Sequence, residues 1–205
     1  MVRQFGIMGI AALGALALAA PAAHATIVSP LTVSNFGSGT GDFGTVSISI
    51  SATGLATVTF DANNGFLFVD GGAADLNVNG TISNVSFVAA TPGLAANQTF
   101  SSTGSGQVDG FGVFNLTTTI GNASVGQDII RYSFTTNQTE ATLLAANGSG
   151  FDAAAHVLIP GTNGLTGFVA ENFGSTPVPE PASLAIFGAA LAGLGLLRRR
   201  RPKNV

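Results

Sequence analysis

The chain has no cysteine and no tryptophan, a single tyrosine, and only 8% charged residues among its 205. Without cysteine no disulfide can staple the fold, and a thiolate nucleophile or metal ligand is excluded. Basic residues are scarcer than their total of seven suggests. Arg3, Arg198, Arg199, Arg200, Arg201 and Lys203 lie near the two ends, which leaves Arg131 alone in the middle. Against it, residues 26–176 carry nine acids, a formal charge of −8. That sign argues against a nucleic-acid partner, because phosphate binding needs clustered Lys and Arg. Histidine is limited to His24 and His156. A catalytic triad would therefore have to be Ser-His-Asp built on His156, and no Gly-x-Ser-x-Gly turn accompanies it. The expectation is a non-enzymatic chain with no catalytic residue, His156 being a strand histidine bonded to a neighbour.

What is present in quantity is glycine, 28 residues, with abundant Thr, Ser, Asn and Val. This composition favours short strands joined by tight turns. Apolar residues alternate with polar ones, as on a half-buried strand: Val46, Ile48 and Ile50; Val58 and Phe60; Ile130, Tyr132 and Phe134, with Arg131 and Ser133 on the opposite face. Asn63-Asn64-Gly65 reads as the turn of a hairpin leading into residues 66–69. Further strands are expected near Leu76 and Val78, over residues 82–89, at Phe114, Leu116, Thr118 and Ile120, and over 164–170. Residues 139–146 and 152–158 are richer in Ala and Leu, and Ala153 to Val157 is read as strand because nearby Gly and Pro leave little room for a helix. The fold class is therefore all-β: a single antiparallel β-sandwich, jelly-roll-like, over residues 26–172.

Two acidic loops invite chemistry. Asp61-Ala62-Asn63-Asn64-Gly65 and the stretch from Asp70 to Asp75 offer oxygen ligands of the kind calcium prefers, without the spacing of an EF-hand. Calcium is thus the one cofactor considered, and turn chemistry is the alternative. Paired acids for glycoside hydrolysis would be Asp70 with Asp75 or Asp128 with Glu140. Otherwise the exposed faces offer hydroxyls and amides, a surface compatible with hydrated polysaccharide.

Both ends read as targeting segments. Residues 1–25 carry Arg3, an apolar stretch and Ala23-His24-Ala25, the pattern of a secretory signal peptide cut by signal peptidase after Ala25, with an uncleaved anchor as the alternative. At the other end, a linker over residues 173–183 holds Pro179-Glu180-Pro181. An apolar stretch follows from Leu184 to Leu197, and then Arg198, Arg199, Arg200 and Arg201 open a basic tail over 198–205. Fourteen residues make a helix of about 21 Å. That is thin against a hydrocarbon core of roughly 30 Å, so the span needs its flanks and arginine snorkelling to cross. The arginines place the C-terminus in the cytoplasm. Gly188 with Ala192, and Ala189 with Gly193, are small-x-x-x-small pairs that admit another helix. Pro179 and Pro181 keep the preceding chain extended and free of backbone pairing.

In this order of motif, span and basic cluster, residues 176–203 resemble the PEP-CTERM proteins of Gram-negative bacteria. The resemblance implies recognition and removal of the tail by an exosortase-type membrane protease, a transient stay in the inner membrane, and delivery to the cell surface or an exopolysaccharide layer. It says nothing of the module, which is expected to be a structural or interaction protein. A secreted carbohydrate-binding module or glycan-active enzyme, and a calcium-stabilised adhesin, are the alternatives.

Overall fold

The computed structural model describes residues 26–37, 39–121, 126–171 and the backbone of 177–178. The expected signal peptide, with Ala23 and Ala25, lies outside the described residues, as do Pro179, Glu180, Pro181, the stretch from Leu184 to Leu197, and Arg198 to Arg201.

Among the described residues there are fifteen strands and one helical turn. In chain order they are β1 (Thr26–Ser34), β2 (Thr40–Ile50), β3 (Leu55–Ala62), β4 (Leu67–Phe68), β5 (Asp70–Gly71), β6 (Asp75–Leu76), β7 (Ile82–Thr91) and β8 (Phe100–Thr103). There follow β9 (Gly106–Val108), β10 (Gly112–Phe114), β11 (Thr117–Ile120), β12 (Ile129–Thr136), α1 (Glu140–Leu143), β13 (Ala153–Leu158), β14 (Thr166–Ala170) and β15 (Pro177–Val178). One antiparallel sheet runs β4-β13-β14-β1-β2-β3-β12-β7, with β6 added to β13 and β15 to β1; β5-β11-β8 and β9-β10 form two small sheets.

Strict alternation on the long strands decides which face is buried. Val46, Ile48, Val58, Phe60, Ile130, Tyr132 and Phe134 all point inward and are fully buried, joined by Ala153, Ala155, Val157 and Val169 from β13 and β14. These residues form one cluster, so the sheet curls around it. The all-β, antiparallel class expected from sequence is what the described residues show, with the long strands pairing continuously in one curled sheet. Aromatic rings fill the centre: Phe60 lies edge-on to Phe68 at 5.9 Å, and Tyr132 touches Phe60, Phe100 and Phe134. Phe60→Ala should therefore cost about 3–5 kcal/mol of unfolding free energy, measured by denaturant melts, because a ring removed from a packed core leaves a cavity. A second cluster, Val108, Phe111, Phe114, Ala154 and Ala170, is where the β9–β10 hairpin packs on the opposite face of β13 and β14.

One local expectation is corrected. Asn63 to Gly65 does turn the chain, with Asn64 and Gly65 at φ 55° and 78° and Phe66 N donating to Asn63 O. But no hairpin follows: β2 and β12 occupy both edges of β3, so residues 67–68 cross over to pair with β13. Within 139–146, residues 140–143 form one helical turn begun by a capping box of Thr139 and Thr142. Ala153–Leu158 is a strand, as read from sequence.

Candidate functional site

The described end of the tail is built into the sheet. Ile27 pairs with Pro177 and Thr26 with Val178, while β14 pairs along the same strand through Val33 and Ala170. These partner numbers sum to 204 for β15 and 203 for β14, so the two lie along β1 in registers one residue apart. The segment before Pro179 is thus extended, as expected, but its backbone is paired at residues 177–178. This corrects the reading of a linker free of pairing. The first residues after the expected signal-peptidase cut and the first residues of the sorting region share one strand pair.

Inside the module the sequence-nominated residues separate rather than converge. His156 stands on β13, half-buried, its ring stacked on Phe168 at 4.4 Å and its Nδ1 3.2 Å from Gly71 O. Burial lowers its pKa, against the opposing pull of the Gly71 carbonyl and the Asp70 charge, so the ring is neutral at pH 7. This is the strand histidine bonded to a neighbour that the sequence suggested.

Asp70 is exposed at φ 52°, while Asp75 is wholly buried. Asp128 and Glu140 flank the two ends of β12, whose eight residues span about 26 Å at roughly 3.3 Å each. That exceeds the ~5–9.5 Å between the carboxyl groups of glycosidases. Glu140 Oε1 accepts Ile50 N at 3.2 Å. In the other acidic loop, Asp42 serves as the turn's acceptor: Asn63 Nδ2 donates to its Oδ1 at 2.8 Å and Asn64 Nδ2 to its carbonyl at 2.7 Å. Among the described residues no three His, Asp or Glu side chains are grouped so as to hold a metal ion.

Sequence reasoning missed the environment of Asp75. Its Oδ1 accepts Thr118 N at 2.8 Å, and its Oδ2 is buried without a hydrogen-bond partner. Next to it the Ala74 carbonyl accepts both Thr118 Oγ1 (2.9 Å) and the Tyr132 hydroxyl (3.1 Å). Gly72, at φ 74°, closes the site, since a Cβ there would stand 3.2 Å from Asp75 Oδ2 and 3.1 Å from the Phe168 ring. Burial pushes the Asp75 carboxyl up to about 8 despite the Thr118 amide, so the group is mainly neutral at pH 7. Burial, and then the Asp75 charge, push the Tyr132 hydroxyl well above its ordinary range. These bonds join the loop leading into β6 to β11 and β12.

Residues 177–201 match the family model described as the PEP-CTERM protein-sorting motif. The match includes Pro179-Glu180-Pro181, Leu184 to Leu197 and Arg198 to Arg201, and it begins on the two residues paired with β1. The motif implies an exported, surface-sorted protein handled by an exosortase, which is itself a membrane protein. Neither the curated proteins nor the solved structures contain a match to the chain. Among the described residues no helix is long and apolar enough to cross a membrane.

Proposed function

We propose that this chain is a non-enzymatic structural or interaction protein of the cell surface or the surrounding exopolysaccharide. Signal peptidase removes residues 1–25, residues 184–197 hold the product in the inner membrane with the arginines in the cytoplasm, and an exosortase then takes off the tail. The observation that carries this reading is the sorting motif at residues 177–201, placed directly after the last strands of a β module. The separation of Asp128 and Glu140 at opposite ends of β12 favours a binding or structural role over hydrolysis by that pair.

If the address is self-sufficient, it should work on other cargo. A fluorescent carrier with a secretory signal at its front and residues 177–205 at its back should reach the surface of a bacterium that makes an exosortase, and should remain in the inner membrane when the exosortase gene is deleted. Fractionation with immunoblotting reads both outcomes. Equal display with and without the exosortase would remove the reading.

A further inference from the structure

The outward face of β2, β3 and β12 carries an ordered set of hydroxyls around the one cation of the module. Register places Ser47 beside Thr59 and Thr59 beside Arg131, and in the next row Ser49 beside Thr57 and Thr57 beside Ser133. Neighbouring strands lie about 4.8 Å apart and successive rows about 6.8 Å apart. Arg131 is exposed, and its Nε donates to Thr59 Oγ1 at 3.0 Å. No described hydrogen bond engages the hydroxyls of Ser47, Ser49, Thr57 or Ser133 within the module. At the β2–β3 turn this face dips into a shallow depression of about 200 Å³, lined by Ser49, Ile50, Ser51, Leu55 and Thr57. Leu55, 45% exposed, gives it an apolar side.

The geometry points to this face as a binding site for an acidic polysaccharide, one sugar ring seated against the exposed Leu55 side chain and a uronate carboxylate of the neighbouring sugar on Arg131. A sugar ring has an apolar C–H face and a hydroxyl rim, which is the chemistry of the depression. Ser and Thr hydroxyls both donate and accept, as a hydroxyl-rich ligand requires. The guanidinium fork holds a carboxylate through two parallel bonds. Thr57, at the edge of the depression, lies one row from Thr59 and hence about 7 Å from the row of Arg131, close enough for adjacent sugars to fill both places. Asp61, exposed one row beyond Thr59, sets the limit on that side and disfavours a second carboxylate there. This site rests on the exopolysaccharide reading for its biological setting, but not for its chemistry.

The test is binding of the full-length protein, purified in mild detergent, to immobilised polygalacturonate and to the same polymer after carboxyl reduction. Arg131→Gln should weaken binding to the acidic polymer at least tenfold and leave binding to the reduced one unchanged, with Arg131→Lys in between because the fork is lost. Leu55→Asn should weaken both. Melting temperatures should stay at the wild-type value, since both side chains are exposed. If wild-type protein ignores both polymers, or if Arg131→Gln and Leu55→Asn bind like wild type, the site is refuted. Surface display of these variants should be normal, so a failure of sorting would leave this binding result standing.

Discussion

Asp75→Asn is expected to flatten the dependence of stability on pH and to make the protein markedly more stable than wild type at pH 9. The wild-type carboxyl titrates at about 8 in the fold, against 3.8 for an ordinary aspartate. Its folded pKa is therefore raised, and the sign follows from proton binding. Between pH 4 and 8 the folded state holds a proton that the unfolded state has released, so stability is complete below pH 4 and is lost as pH rises through 8. Four units of displacement correspond to roughly 5 kcal/mol, at about 1.36 kcal/mol per unit. Asparagine keeps the acceptor for Thr118 N and never ionises, so its unfolding free energy should stay near the wild-type value at pH 4 and exceed it by several kcal/mol at pH 9. Asp61→Asn, at an exposed position, is the control and should cost less than about 0.5 kcal/mol. Urea melts at five pH values between 4 and 9 measure all three proteins. Parallel wild-type and Asp75→Asn profiles would mean that Asp75 is ionised and satisfied in the fold, contrary to its unpartnered Oδ2.

Asp75 also marks where sequence patterning stops being informative. In a Gly-Gly-Ala-Ala-Asp loop an acid reads as a turn-maker. Its burial depends on Thr118, 43 positions away, and on Tyr132 from a third strand, and no local pattern records those neighbours. The long strands were legible because alternation over five or more residues has one physical reading: the inward sets of β2, β3 and β12 are the buried ones. The hairpin after β3 was misread although its turn is real, because turn residues report the local reversal and not which edges are already taken. Phe114 to Ile120 looked like one strand. The Asn115 side chain, bonded to both Val78 N (2.8 Å) and Val78 O (2.7 Å), occupies the place of a backbone partner and splits it in two. Arg131 and Ser133 were correctly put on one face, but the depression beside them needs Ser51 and Leu55 from across the turn.

The tail was legible for a different reason. A sorting signal is read by other proteins as a linear order of chemical types, so its motif, apolar stretch and basic cluster survive as sequence alone. What sequence did not give is the pairing of residues 177–178 with the start of β1, which puts the address at the edge of the folded module.

Replacing Pro179, Glu180 and Pro181 with alanine removes the polar motif and both restrictions on backbone conformation while leaving the apolar stretch and the arginines in place. The variant should still be exported and still enter the inner membrane, because insertion depends on the span and its basic flank. It should then accumulate there with its tail attached, reducing surface display at least tenfold. The module should melt normally, since the substituted residues follow its last strand.

Intact mass spectrometry of the protein recovered from the cell surface tests this account most directly. It should give a wild-type chain that begins at Thr26 and ends before Leu184, with the alanine variant found only in the inner membrane and extending to Val205. Surface-exposed wild-type chain that still carries Arg198 to Arg201 would contradict the account.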